Sequence, residues 1–363
     1  MSYRRPRAVM CSAALSLAVL CIIVPACSDD DKPSAAPATT TTSTTSTSTS
    51  TTSTTTTVPA GPVAPLTGLP TAADRQSALL RPALGIKVDN HPDAIPQQGL
   101  NAADIVIEEK VEGISRLLTV FQSNDSAVGP VRSARFSDPN LLGLFGVPLF
   151  GWSGANDAVS SNVAKVPWVI NVNWDRFPSG YSRRGVHAAP HNLYTNTATL
   201  YAKTQPGQAP PPTQFTYLSA GQSNAGATPA PGASLRVGDT PSEWVWDPAT
   251  SGWLRWEYGR RHSTEDAGQV SATNVVILET RYTGGSLTPT AVSVGGGQAW
   301  VLTGGSMVPG TWIRSGPNTT YALIGTDGQP IKLAPGRTWI ELPTTGNPPA
   351  VFGADHAAQL TGG

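Results

Sequence analysis

A run of serine and threonine from Thr39 to Thr57 divides this chain of 363 residues into a short N-terminal part and a long remainder. The run has no apolar side chain to bury, so it predicts a disordered spacer, and its composition also permits O-linked glycans. A folded core must therefore come from the residues that follow. The chain length favours two domains there.

The segment before the run has the features of an export signal. A basic stretch precedes an apolar run from Ala8 to Ile23, which is short for a membrane-spanning helix and ends in small residues. Val24-Pro25-Ala26-Cys27 then reads as a lipobox, in which a peptidase cuts before the cysteine and the thiol receives diacylglycerol. The alternatives are an ordinary secretory signal or an uncleaved anchor. We expect Cys27 to carry acyl chains such as palmitate and to hold the protein on the outer face of the cell membrane.

The charge balance and the cysteines restrict the remaining function classes. The chain carries 24 basic and 24 acidic side chains, and removing residues 1–26 takes away three arginines and no acid, which leaves a net charge of −3. Nucleic-acid binding needs a basic surface, so we expect no nucleic-acid partner. All three cysteines lie within residues 1–27, so the folded part has no disulfide and no thiolate ligand. We expect no cofactor.

Residues 65–205 mix strand and helix patterns. Apolar runs predict strands at 83–89, 103–109, 115–122, 147–152 and 168–172. Helices are predicted at 137–144 and 158–165. Because strands and helices interleave, we predict an α/β N-terminal domain with a mixed sheet.

The rest of the chain predicts strands without helices. Residues 206–240 are rich in proline and glycine and are interpreted as a linker with one candidate strand at 215–218. Segments 243–247 and 253–258 flank a turn and predict a hairpin. The predicted order is a signal peptide at 1–26, a spacer at 27–64, the α/β domain at 65–205, the linker at 206–240, and a small β-rich C-terminal domain at 241–363.

Several blocks of the folded part are similar to one bacterial family. The most specific is Val128-Gly129-Pro130-Val131-Arg132-Ser133-Ala134-Arg135. Other matching blocks are at 88–92, 103–108, 111–116, 189–194, 310–312 and 336–340. Together they resemble the YerB-like lipoproteins, which implies two domains of unknown function, a cell-envelope location and no established activity. The chain departs from the family pattern at Ile114, where a second glycine is expected, and in its threonine-rich spacer.

The charged residues of the N-terminal domain are the candidate site. The arginines are Arg116, Arg132 and Arg135, and the acids are Asp89, Asp104, Glu108, Glu109 and Glu112. If the last two arginines open a helix, they project one turn apart, and paired guanidinium groups suit a phosphate or carboxylate. The two sets could instead neutralise each other in a buried network. A third alternative is an acid/base site.

The histidines raise a metal hypothesis together with Asp89. His187 and His191 have helical spacing, but Pro190 between them argues against a helix, and no His-Glu-x-x-His pattern is present. We therefore expect no metal, and we keep His91 and His191 as candidate ligand-binding residues. Asp89 could equally cap backbone amides in a turn. No Gly-x-Ser-x-Gly elbow marks a serine nucleophile.

The predicted hairpin carries an aromatic side chain on each face of its second strand. Trp256 and Tyr258 share one face, and Trp253 lies on the other. One of the two faces is predicted at the surface, where an aromatic ring would stack on sugars. The alternative, which we favour, is that the tryptophans fill the core of a small sheet.

Two functions follow from these features. The first is a non-enzymatic envelope module that binds an anionic cell-wall glycopolymer or an exported partner through Arg116, Arg132, Arg135, Asp89, His91, Asp104 and His191. The second is a hydrolase or transferase acting on such a polymer, with Glu108, Glu109 or Glu112 as acid/base and the arginines as a phosphate clamp. Arginines and carboxylates in one open cleft would favour catalysis, whereas arginines paired in the interior would favour a scaffold.

Overall fold

The computed structural model describes residues 61–362, which belong to one compact unit. The predicted signal peptide, the lipidation site Cys27 and the run from Thr39 to Thr57 lie outside the described residues. Within 61–362, every helix is too short or too polar to cross a bilayer.

Strands dominate this range, and the helices are short. The strands of its first half are β1 Leu84–Val88, β2 Ile105–Lys110, β3 Ser115–Phe121, β4 Ala127–Val128, β5 Leu149–Gly151, β6 Ile170–Asn171, β7 Tyr181–Arg183, β8 Leu193–Asn196 and β9 Thr228–Pro229. The next are β10 Gly232–Val237, β11 Thr240–Asp247, β12 Gly252–Glu257, β13 Arg260–Arg261, β14 Ser263–Thr264, β15 Gly268–Gln269, β16 Ser271–Ala272 and β17 Asn274–Leu278. The last are β18 Tyr282–Thr283, β19 Thr290–Ala291, β20 Gly295–Thr303, β21 Ser306–Arg314, β22 Ala322–Gly325, β23 Thr338–Leu342 and β24 Ala350–Phe352. The helices are α1 Asp138–Leu142, α2 Asp157–Lys165, α3 Thr197–Tyr201 and α4 Ala354–Thr361, with 3-10 turns at Ala73–Leu80, Pro92–Ala94, Gly143–Phe145 and Pro178–Gly180.

One sheet of eleven strands forms the centre of the fold. Its order is β22-β21-β20-β17-β23-β2-β3-β1-β5-β6, with β9 paired to β21. Strand β23 lies between β2 and β17 and is parallel to both, so that Thr338 pairs with Ile105 on one side and Asn274 on the other. The sheet is mixed, because β3 is antiparallel to β1 whereas β5 is parallel to it. Both halves of the chain therefore contribute to a single sheet.

The predicted mixed sheet is confirmed, although helices contribute less than an α/β description implies. Strands β1 and β3 fall within the predicted runs, and β2 extends one residue beyond its run, to Lys110. Helix α1 ends at Leu142 and continues only as a 3-10 turn to Phe145, because Gly146 adopts a positive φ of 77° and turns the chain away.

Both faces of the large sheet are covered. Along β2, Ile105 and Ile107 contact one apolar cluster and Val106 contacts the other, as the alternation of a strand requires. The first cluster includes residues of α1 and α2, and the second includes Trp244 and Trp253 of the smaller sheet. Burial on both faces explains why these strands are continuous apolar runs.

A smaller sheet of six strands contains the predicted hairpin. Its order is β13-β12-β11-β10-β24, with β16 also paired to β12, and the hairpin pairs Ser242 with Glu257 and Asp247 with Gly252. Strand β10 lies inside the stretch interpreted as a linker, where it buries Ala233 and Val237. The candidate strand at 215–218 forms only an isolated bridge.

Candidate functional site

Asp89 directly follows β1 and lies at the centre of the candidate site. Its side chain is fully buried, and its Oδ1 accepts a hydrogen bond from His91 N at 3.2 Å, as expected for a turn that caps a backbone amide. Its Oδ2 lies 2.7 Å from His191 Nδ1 and 2.8 Å from Arg132 Nε. The contact with His191 is a hydrogen bond, whereas the Arg132 Nε–H is not aligned for one and forms only an ion pair. Asp89 thus brings together residues distant in sequence.

The loop at 129–135 carries two of the candidate arginines past the end of β1. Arg132 N donates to Lys87 O at 2.9 Å, which ties the loop to the strand. A Cβ on Gly129 would lie 2.5 Å from a ring carbon of Tyr194, so the loop can pass this ring only with glycine there. Close backbone packing therefore fixes the position of the arginines.

Arg132 and Arg135 do not open a helix, so the condition for their projecting one turn apart is not met. Helix α1 begins at Asp138, and the Asp138 Oδ2 accepts a hydrogen bond from Arg135 N at 2.6 Å. The carboxylate thus binds the chain just before the helix, so both arginines stay in the loop. Arg135 extends to Glu112, where its Nη2 donates to Oε2 at 2.6 Å.

Arg116 on β3 lies beside Arg132 and Arg135, and these three arginines are called the arginine cluster. Arg116 is 4% exposed, and its Nη1 donates to Ser133 O at 3.4 Å, which also accepts from Arg135 Nη1 at 3.3 Å. Burial lowers the pKa of Arg116 to about 10, and the charge of Arg135 lowers it as well, while Asp89 acts in the opposite direction. Its Nε has no hydrogen-bond partner within residues 61–362. The cluster therefore contains a buried donor that is not satisfied.

The arginine cluster has more positive charge than its carboxylates neutralise. Arg132 pairs with Asp89 and Arg135 pairs with Glu112, and among the described residues Arg116 has no ion pair. Burial acts to raise the pKa of Glu112, but the hydrogen bond and charge of Arg135 and the charge of Arg116 together outweigh it, and the pKa is lowered. The side chains of Arg132 and Arg135 are 24% and 14% exposed, so solvent reaches the cluster from one side.

Asp104 does not join the arginine cluster. It precedes β2 and accepts hydrogen bonds from Gln122 N at 2.6 Å and Ser123 N at 2.9 Å. Gln122 follows the last residue of β3 whereas Arg116 lies near its first, so the two sites are at opposite ends of the strand. Burial raises the pKa of Asp104. We interpret this residue as a cap for the chain leaving β3.

The three acid/base candidates do not converge on an open cleft. Glu108 is fully buried, and its Oε2 accepts a hydrogen bond from Arg255 Nη2 at 2.7 Å. Glu109 is also fully buried and pairs with Lys87. Glu112 is partly exposed and belongs with Arg135. Alternation along β2 separates Glu108 from Glu109, so the two face opposite sides of the sheet.

A second group of charges lies in the interior between the two sheets. This buried charge cluster consists of Glu108, Arg255, Glu257, His262 and Glu341. Arg255 contacts Glu108 and Glu257, while Glu341 Oε1 accepts a hydrogen bond from Trp244 Nε1 at 2.9 Å. Burial and the charge of Arg255 hold the pKa of His262 well below its ordinary value. The single cation Arg255 thus interacts with three carboxylates. One of them, Glu108, comes from the N-terminal half, so the cluster links the two halves of the chain.

Glu341 makes the stability of this interior depend on pH. Burial raises its pKa well above the ordinary value of 4.5, and the charge of Glu108 raises it further. An acid whose pKa is higher in the folded state contributes most below its unfolded pKa, and this contribution is lost as the pH rises through the folded value. We therefore expect Glu341→Gln, which stays neutral, to be more stable than the parent at about pH 8 and similar to it near pH 4.5.

Urea unfolding of both proteins across this pH range measures the difference. Asp74→Asn, at an exposed aspartate that has no ion pair among the described residues, serves as the control and should not change the pH profile. Parallel pH profiles for the parent and Glu341→Gln would contradict a protonated Glu341.

The histidines divide into two groups. The rings of His91 and His191 stack with centroids 4.8 Å apart and planes inclined by 22°. His187 lies elsewhere, with its Nε2 3.0 Å from Pro96 O. Of the residues proposed from sequence, Asp89, His91, Arg116, Arg132, Arg135 and His191 thus lie in one region.

The tryptophans of β12 are core residues. Trp253 is 0% exposed and Trp256 is 2% exposed, because β12 is covered on both faces. Tyr258, which is 38% exposed, is the hairpin aromatic that reaches the surface. A sugar-stacking role for Trp253 or Trp256 is therefore excluded by burial, and the core alternative is confirmed.

Two family models match the chain in order. Residues 66–209 match the N-terminal domain, and residues 233–340 match the C-terminal domain, of a protein of unknown function (DUF3048). The two matches together span most of the described residues. The chain therefore belongs to this family of proteins of unknown function.

A curated relative and a solved structure agree with this assignment. The Bacillus subtilis protein named "Putative lipoprotein YerB" is 41% identical over 138 residues, which cover 37% of this chain and 40% of the relative. The aligned part is thus less than half of that relative's length. The crystal structure of the YerB protein from Bacillus subtilis superposes with a TM-score of 0.66 and 27% identity, over 77% of this chain and 96% of that one. The YerB-like resemblance is confirmed.

Proposed function

We propose that this protein is a lipid-anchored binding module of the cell envelope whose ligand is an anionic cell-wall glycopolymer. The arginine cluster carries the proposal, because Arg116 is a buried cation with an unsatisfied Nε and no ion pair within the described residues. A buried charge without a counter-ion is costly, so binding of an anion next to Arg116 would be electrostatically favourable.

Arginine chemistry favours phosphate or carboxylate as the recognised group. Guanidinium groups donate two parallel hydrogen bonds to such anions, and these charge-assisted bonds are the strong ones. The solvent-exposed side of Arg132 and Arg135 gives an entry for a group on a flexible polymer. Their partial pairing with Asp89 and Glu112 holds the side chains in place before the anion arrives.

The proposed location rests on residues outside the described range and on a relative. Cys27 follows a lipobox-like sequence, and the run from Thr39 to Thr57 would extend the folded part away from the membrane surface. The similar Bacillus subtilis protein carries the word lipoprotein in its name. An anchored domain on a long spacer is suited to reaching a polymer in the surrounding wall.

Binding of residues 28–363, the mature chain without the lipidated Cys27, to purified wall-polymer fractions tests the proposal. We expect Arg116→Ala, Arg132→Ala and Arg135→Ala each to weaken binding by roughly 10- to 100-fold, the value of one charge-assisted hydrogen bond. The matched control is Arg236→Ala, an exposed arginine on β10 that donates to Asp239 O. Thermal unfolding of each variant separates loss of binding from loss of fold.

The same samples distinguish the other outcomes. Unchanged binding in all three folded variants would overturn the assignment of the arginine cluster. Capture of an exported protein, and not of polymer, would show that the ligand is a protein. A shortened or modified polymer, detected by mass spectrometry, would establish a hydrolase or transferase instead, with Glu112 as the exposed member of the predicted acids.

A further inference from the structure

Three side chains beside the arginine cluster converge in a way that the proposed function does not use. His91, Asp93 and His191 each offer one ligand atom, and these atoms lie within 4.8 Å of one another. His91 Nδ1 accepts a hydrogen bond from Asp93 N at 3.2 Å and lies 3.5 Å from Asp93 Oδ2, so the ring is held beside the carboxylate with its Nε2 left for another partner. Two imidazoles and a carboxylate are a set that first-row transition metals prefer.

A second observation supports a metal at this position. His191 Nδ1 is hydrogen-bonded to the buried Asp89 Oδ2 at 2.7 Å, which fixes the ring and leaves its Nε2 for another partner. Histidine ligands of metals ordinarily donate their other ring nitrogen to a carboxylate or carbonyl in this way. Asp89 is in turn held by the amide of His91. The site therefore has both ligands and a buried group that orients one of them.

Two of the three candidate ligands are open to solvent. The side chains of His91 and Asp93 are 42% and 74% exposed, so they can turn inward by the ångström or so that closing the site requires. His191, at 13% exposure, is the rigid member of the set. Three protein ligands leave the remaining coordination positions to water or to a bound molecule.

From this geometry we infer that His91, Asp93 and His191 form a binding site for a divalent transition-metal ion such as zinc. The imidazole ligands disfavour magnesium and calcium, which take oxygen ligands. Asp89 lies between the metal site and Arg132, so a bound ion would add positive charge next to the arginine cluster. An effect of this charge on polymer binding rests on the proposed function, whereas the metal site itself does not.

Zinc titration of the mature chain, residues 28–363 without lipid or affinity tag, tests the site. Isothermal titration calorimetry should show one equivalent bound by the parent, with binding weakened tenfold or more in His91→Ala, Asp93→Ala and His191→Ala. Zinc should also raise the unfolding temperature of the parent more than that of these variants. Asp93→Ala removes a largely exposed side chain, so its effect does not depend on a damaged fold.

Two controls separate this inference from the proposed function. His356→Ala removes an exposed histidine that pairs with Glu243 and is not part of the proposed metal site, so this variant should bind zinc like the parent. Arg135→Ala, which should lose polymer, is also expected to bind zinc normally. The metal site would be overturned if the parent does not bind zinc, or if Asp93→Ala and His191→Ala bind zinc as tightly as the parent does. Either outcome leaves the polymer result unaffected.

Discussion

Replacing Arg255 by leucine is expected to destabilise the folded state by about 3–5 kcal/mol, the cost of breaking a buried ion pair from one side. Arg255 is fully buried and contacts Glu108 and Glu257, and these carboxylates would be left in the interior without their cation. The charges of Glu108 and Glu257 raise the pKa of Arg255 against the effect of burial, so the guanidinium stays charged. Urea unfolding of the mature chain at pH 7.5 measures the loss.

The control for this change is Arg236→Leu on strand β10 of the same sheet. Arg236 is exposed, and a surface substitution of this kind usually changes stability by less than about 0.5 kcal/mol. A loss below roughly 1 kcal/mol for Arg255→Leu would mean that its carboxylates are already neutral and that the cluster is not held by charge.

Replacing Lys87 by methionine is expected to have an effect of similar size on the opposite face of the large sheet. Lys87 is fully buried and pairs with both Glu109 and Asp138, the latter at 2.7 Å. Burial raises the pKa of Asp138 to about 6, so this acid still carries its charge at pH 7.5 and gains a proton as the pH falls towards 5. Methionine would leave two buried acids without a cation, at a cost of about 3–5 kcal/mol at pH 7.5.

This loss should depend on pH in a defined direction. Without Lys87, protonation of Glu109 and Asp138 stabilises the folded state. The loss in free energy of unfolding caused by Lys87→Met should therefore shrink as the pH falls from 7.5 to about 5. Lys165→Met, in the exposed last turn of α2, is the matched control. A deficit that stays constant between these pH values would show that the lost packing of the lysine stem, and not charge, explains the effect.

The strands at the centre of the sheet could be predicted because they are apolar on both faces. Runs at 83–89, 103–109 and 115–122 are long and uninterrupted, and they contain β1, β2 and β3 apart from one residue at the end of β2. The hairpin of β11 and β12 could be predicted from the turn between two aromatic segments. Strand β10 could not, because proline and glycine around it indicate a linker and only its tertiary partners make it a strand.

The pairing of β23 with β2 had no local signal. Thr338 and Ile105 are distant in sequence, and the register between two such strands is determined by the whole sheet. The arginine cluster was predictable because Arg132 and Arg135 share one unusual block. Arg255 and Glu257 were missed as a site, although their alternation with the tryptophans of β12 was a usable signal, since charges on a strand covered on both faces must be buried.

The position of β23 has a consequence for how the chain is synthesised. Its partner β2 leaves the ribosome about 230 residues earlier, and until Thr338 to Leu342 follow, one long edge of the apolar β2–β3–β1 sheet has no neighbour. Open edges of this kind pair with other chains. A fragment that ends between the two family domains would therefore keep this edge open, and we expect it to aggregate where the full chain does not.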